Sequence, residues 1–133
     1  MLRMTIITIF ILWFSQLTAP PSGGIAIEVS EGINPYKTII HAIGEVESKH
    51  DTLAYNPGEG ATGYFQIREI RLRDYNERTG ECLTMTDMYD YHKAERVFLY
   101  YATQFRYDDY RSIARDWNKS RTNRYWNRVK KHI

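Results

Sequence analysis

The stretch NPYKTIIHAIGEVESKHDTLAYNPGEGATGYFQI, from Asn34 to Ile67, decides how the rest of the chain is read. Asn34-Pro35 predicts a helix start, since Asn is a favoured N-cap and Pro fits the first helical position, where an N–H has no partner anyway. From Tyr36 to Ser48 the apolar residues recur with helical spacing. At about 100° per residue, Tyr36, Ile40, Ile43 and Glu47 share one face, flanked by Ile39 and Val46. Glu45 is expected on the opposite face, toward solvent. A carboxyl on the apolar stripe, in the last turn of a helix, is disfavoured in its charged form by burial and by the negative helix end. Both effects raise its pKa, which suits a general acid working near neutral pH. The plainer alternative is a glutamate at the edge of the stripe that bends out to water.

After the helix, Asn56 to Gly63 is rich in turn formers, with three glycines that allow a left-handed backbone or close approach. It leads into Tyr64-Phe65-Gln66-Ile67, whose aromatic and β-branched residues suit a short strand. Glu47-Ser48 followed by Gly60-Ala61-Thr62-Gly63-Tyr64-Phe65-Gln66-Ile67 resembles the ES … GAxGLMQI signature of the soluble lytic transglycosylase (SLT) domain, a lysozyme-like family that cuts the glycan strands of bacterial peptidoglycan. Tyr64-Phe65 replaces Leu-Met, and the loop before Gly60 is one residue longer than the family's. Further on, Ala114 to Ser120 is similar to the family's AYNAG segment, with Trp117 for Tyr and no Gly. Asn123 to Val129 is similar to its closing NYVxxV helix.

The resemblance implies a mainly α (α+β) lysozyme-like fold with a small strand element beside the cleft. It implies Glu47 as the single catalytic acid and base, with the sugar's own C6 hydroxyl as nucleophile and a 1,6-anhydro ring as product. Gln66 and Asn118 are then substrate-binding amides, Ser48 braces the loop or Glu47, and Tyr125 orients the Glu47 carboxyl. Tyr64 either stacks on a sugar or fills the core. A hydrolytic muramidase would need a second carboxylate. Asp51, Glu59 and Asp74 are the candidates, but none matches a family position and each reads as an ordinary surface acid. A glycan-binding module without turnover is a further alternative.

The other segments set the frame. Residues 1–19 read as a signal peptide, with a basic start and an apolar run, Thr5 to Phe14, well short of the roughly 20 residues of a membrane span. An uncleaved anchor is the alternative. Residues 20–33 read as linker and N-terminal extension, and 34–133 as one SLT-like domain, exported to the periplasm, cell envelope or medium. Cys82 is the single cysteine, expected buried or inert, so no intrachain disulfide is possible. A helix is expected from Arg68, stopping by Gly80. Another starts near Thr86 and runs into a core stripe of Ala94, Val97, Phe98, Tyr101, Ala102 and Phe105. A third follows over Asp109–Asn118. His41 and Glu45 share a helix face but lack a third ligand, and His50, His92 and His132 read as isolated. No metal and no cofactor is expected.

Net charge is +2, unevenly spread: residues 28–105 hold 8 Lys and Arg against 13 Asp and Glu, and residues 106–133 hold 9 against 3. In an exported monomer, an anionic wall polymer is a more natural partner for this basic tail than nucleic acid, and a solvated helix face is the simpler alternative. Peptidoglycan strands are the partner implied, with a secretion or conjugation apparatus as a possible setting. If the signal is cleaved, N-terminal sequencing of exported protein should place the start between residues 19 and 24. A start at Met1 would refute cleavage.

Overall fold

Asn34 and Pro35 form the turn that leads into the first helix rather than its opening residues. In the computed structural model, which describes residues 32–133, Asn34 Oδ1 accepts from the Tyr36 N–H at 2.9 Å and helix α1 spans Lys37–Ser48. Residues 1–31 lie outside the described residues, and with them the expected signal peptide and most of the expected linker. Ile33–Ile133 forms one compact unit.

The unit is mostly helical with one small antiparallel sheet. After α1 come β1 (Tyr55–Asn56) and β2 (Ala61–Thr62), then α2 (Glu69–Thr79), a 3-10 turn (Met85–Tyr89), α3 (Tyr91–Ala102), α4 (Tyr110–Asn118) and α5 (Arg124–Val129). Gly80 in the left-handed conformation ends α2, as the sequence suggests. The capping signal expected near Thr86 divides in two. Thr84 and Asp87 form a capping box on the 3-10 turn, and Asp90 caps α3 by accepting from the Lys93 N–H. Among the described residues, no helix is long and apolar enough to cross a membrane.

The strand lies earlier than expected. Tyr55 pairs with Thr62 and Asn56 with Ala61, whereas Tyr64–Gln66 is a turn closed by paired hydrogen bonds between Thr62 and Ile67, each 2.9 Å. Two left-handed residues, Gly63 (φ 76°) and Gln66 (φ 50°), bend the chain there, and an aromatic run alone cannot keep such a segment extended. The turn carries the core. Phe65 stacks on Phe98 of α3 at 4.8 Å between ring centroids, and both meet the edge of Trp117 in α4. Ile39, Ile43, Ile67, Met88, Val97, Ile113 and Val129 complete the set of large, fully buried side chains. The expected α3 stripe thus lies on the core, although Tyr101 and Phe105 are only half-buried.

Three readings change at the surface. Cys82 is exposed, so of the two states expected for it, buried or inert, the buried one fails. Glu45 does not simply face water, since its Oε2 pairs with His50 Nε2 at 3.0 Å and both side chains are about one-third exposed. His50 in turn stacks against His41 and meets the Tyr64 hydroxyl, so it is not isolated.

Gly63 is the most constrained glycine. A Cβ there would sit 2.0 Å from the Met88 carbonyl oxygen, a backbone atom, in addition to the left-handed strain. At Gly60 (φ 62°) a Cβ would meet nothing within 4 Å. Gly60→Ala should therefore lose only about 1–2 kcal/mol of stability. Gly63→Ala should lose about 1–3 kcal/mol more, because the crowded carbonyl cannot yield without moving the 3-10 turn. Chemical denaturation of both variants checks the difference, and equal losses would show that the turn is looser than described.

Candidate active site

The last turn of α1 forms one wall of a cleft of about 630 Å³ that also takes in β1, β2, α2 and the ends of α4 and α5. Glu47 is half-buried in that wall, at the end of the apolar stripe where the periodicity places it. Tyr125 in α5 donates its hydroxyl hydrogen to Glu47 Oε1 at 2.5 Å. From the next turn of α5, Arg128 donates Nη2–H to the Val46 carbonyl at 3.0 Å. Burial raises the Glu47 pKa above the ordinary carboxyl value. The Tyr125 hydrogen bond and the Arg128 charge pull it back, the Glu59 charge adds to the rise, and Arg68 opposes it. Burial first, then the Glu47 charge, holds the Tyr125 hydroxyl well above the usual tyrosine range, so it remains a donor at any working pH.

The amides implied by the resemblance line the same cleft. Gln66 sits in the left-handed region, and its Nε2 donates to the Gly63 carbonyl at 3.0 Å and more weakly to Ala54 at 3.3 Å. Strained backbone of this kind persists only where its surroundings hold it. Here the Thr62–Ile67 pairing and the two side-chain bonds do so. Asn118 closes α4, followed by the left-handed Lys119, and stands exposed at the cleft. Glu47, Gln66, Asn118 and Tyr125, far apart in sequence, therefore share one cavity.

Ser48 and Tyr64 sit differently. Ser48 Oγ donates to the Tyr64 carbonyl at 2.8 Å, tying the turn to the helix end. Tyr64 itself is 8 % exposed and does not line the cleft. Its ring lies over Gly44, where a Cβ would come within 2.2 Å of it, and its hydroxyl is 2.7 Å from His50 Nδ1. Of the two roles open to Tyr64, filling the core is the one this placement allows, and no face is left for a sugar ring.

Of the three spare carboxylates, Asp51 accepts from the Leu53 N–H in a loop. Asp74 lines the cleft with its oxygens committed to Arg78 at 2.8 Å and to the Tyr101 hydroxyl at 2.7 Å. Glu59 is exposed at the cleft, 3.8 Å from Arg68. Among the described residues, no group of three His, Cys, Asp or Glu side chains is placed to hold a metal ion. Sequence reasoning missed Arg71, whose guanidinium lies against Tyr101 and Trp117 in the cleft wall. Its one available signal was its position four residues before the core residue Tyr75, on the same helix face. Arg128 was missed for want of any local cue.

No family model matches the chain, and no curated protein or solved structure matches it.

The bond from Tyr125 favours the ionised form of Glu47, so its removal must push the Glu47 pKa further up. Tyr125→Phe should show this as a higher titration midpoint for the Glu47 side-chain carboxyl carbon, followed by NMR. An unchanged or lower midpoint would mean that the bond does not persist in solution.

Proposed function

We propose that the chain is a peptidoglycan lytic transglycosylase of lysozyme-like, SLT-type fold. The observation that carries this function is the half-buried Glu47 carboxyl, raised in pKa and bonded to Tyr125, facing a cleft shared with Gln66 and Asn118. A motif match does not require that residues at the two ends of the domain converge on one cavity, and their convergence supports the resemblance.

The chemistry needs only one carboxyl. Protonated Glu47 gives its proton to the glycosidic oxygen between N-acetylmuramic acid and N-acetylglucosamine as the C1–O bond breaks, leaving positive charge on the muramic ring. The carboxylate then takes the proton of that ring's C6 hydroxyl, and O6 bonds to C1. No water is consumed, Glu47 regains its proton, and the product ends in a 1,6-anhydro ring. An internal nucleophile brings the effective-concentration advantage of an intramolecular reaction. The amides of Gln66 and Asn118 suit the N-acetyl and hydroxyl groups of such a strand. The expected export would bring the enzyme to that substrate.

A hydrolytic reading has one observation in its favour. Glu59 lines the same cleft and its charge acts on Glu47, so it could activate a water as the second carboxylate.

Glu47→Gln should lose about 10²–10⁴-fold in glycan cleavage. Mass analysis of the muropeptides made by the unaltered protein separates the functions: anhydro ends support the transglycosylase, reducing ends with a Glu59 requirement support the hydrolase, and an unchanged glycan refutes both. Stability gives an independent check. With a folded pKa above the unfolded one, ionised Glu47 destabilises the fold once the pH passes the unfolded value, and fully so above the folded value. Glu47→Gln should therefore be the more stable protein at neutral pH, an advantage that disappears as the pH falls below the ordinary carboxyl range.

A further inference from the structure

Arg71 is the one residue among the described ones with a buried side-chain polar atom that lacks a hydrogen-bond partner, its Nη1. The rest of the guanidinium is held firmly. Nη2 donates to the carbonyls of Trp117 at 2.8 Å and Asp116 at 3.2 Å, at the C-terminal end of α4. The Tyr101 and Trp117 rings lie 4.4 Å from its central carbon, with their own centroids 6.3 Å apart at an interplanar angle of 63°. Two rings and two carbonyls therefore fix the plane of the group, and Nη1 is left without an acceptor. Leaving a charged donor unpaired away from water is costly, so a missing acceptor has to be accounted for.

The surroundings offer cations in excess. Arg68, Arg71, Arg78, Lys119 and Arg128 line the cleft against Glu47, Glu59 and Asp74. The acids whose charge acts on Arg71 make their hydrogen bonds elsewhere, Asp74 with Arg78 and Tyr101 and Asp116 Oδ1 with Lys119, and neither bonds Nη1. When Glu47 carries its proton, the imbalance grows by one more charge. Arg78 and Lys119, which also line the cleft, have side chains 61 % exposed, and exposed ion pairs such as theirs are weak enough to yield to an entering group.

We infer, resting on the glycan-cleaving function proposed above, that Arg71 is the anchor for a carboxylate carried by a substituent of the bound strand, with Nη1 as the donor that the carboxylate completes. A guanidinium whose plane is already fixed loses little freedom on binding, and its fork matches a carboxylate better than an ammonium would. The cleft would then select strands whose side substituents bear free acids over neutral strands with the same sugar backbone.

The test uses purified glycan strands with peptide substituents, and the same strands after their carboxyl groups have been converted to amides with carbodiimide and ammonia. A charge-assisted hydrogen bond contributes enough that the full chain should show a KM about ten- to a hundredfold higher on the amidated strands, with kcat little changed. Arg71→Met, which keeps the stem against the rings, should raise KM on the native strands by a similar factor and add nothing on the amidated ones. Arg71→Lys should recover only part of the preference. Equal KM values of the unaltered protein for both strands would overturn the inference. So would an Arg71→Met loss that is the same on both, since that is the mark of a residue that only braces α4.

Binding of the two strands to Glu47→Gln, followed by calorimetry, separates this inference from the proposed function. An Arg71-dependent preference in binding without cleavage by the unaltered protein would leave the carboxylate site standing and remove the enzyme. Cleavage without preference would do the reverse, and no binding of either strand would remove both.

Discussion

The hydrogen bond from Tyr125 to Glu47 joins the last helix to the end of the first, across 78 residues of chain. A carboxyl on the apolar stripe of α1 is tolerable only if some donor meets it, because burying an unpaired polar group costs several times what a paired one does. That donor comes from α5, whose Arg128 also bonds the carbonyl of Val46 in the same turn. The two contacts dock α5 against the end of α1, in the wall of the cleft. They also oppose the effect of burial on Glu47. The site thus holds a carboxyl raised in pKa by its surroundings and restrained by two specific partners. This is the balance a group needs if it must both give and take a proton.

The loop between α1 and α2 has to be rigid for the cleft to have a fixed shape, and with only two short strands it draws little support from sheet pairing. Packing supplies the rest. Phe65 is locked between α3 and α4, and Tyr64 lies on the bare backbone of Gly44. Glycine inside a helix costs about 1 kcal/mol relative to alanine. Here the cost is offset by a ring that could not otherwise come so close. Ser48 holds the Tyr64 carbonyl from the helix end, and His50, in the left-handed turn that follows, holds its hydroxyl. Gln66 inherits its position from these contacts, since the residues on either side of it are buried and fixed.

Charge is distributed on a different principle. Among the described residues most ion pairs have at least one exposed partner and stabilise little, the usual fate of surface pairs. The exception is Arg71, where aromatic rings and backbone carbonyls replace the carboxylate that a buried guanidinium ordinarily meets. Burial lowers its pKa, yet a guanidinium starts so high that it stays charged. A permanent positive charge therefore stands in the cleft wall, close enough for the Tyr125 hydroxyl to feel it.

The amino-acid sequence by itself determined the elements whose causes are local. The 3.6-residue recurrence of Ile39, Ile40 and Ile43 marks α1 and puts Glu47 at the edge of its buried face, and the left-handed Gly80 marks the end of α2. The stripe from Ala94 to Ala102 marks α3 in the same way, and the helix expected over Asp109–Asn118 is α4, with Asp109 as its cap. Tertiary structure alone decided the rest. Tyr64 and Phe65 look like strand residues, but the left-handed Gly63 and Gln66 turn them into the core, and no propensity encodes that. Glu45 and His50 are five residues apart and meet only because the helix end reverses through two left-handed residues. Arg71 looks like any cation on a polar helix until α3 and α4 bring Tyr101 and Trp117 against it. Local sequence specifies periodicity and caps because those depend on neighbours along the chain. Which side chain meets an unpaired donor or a buried carboxyl depends on residues 30 to 80 positions away, brought there by packing.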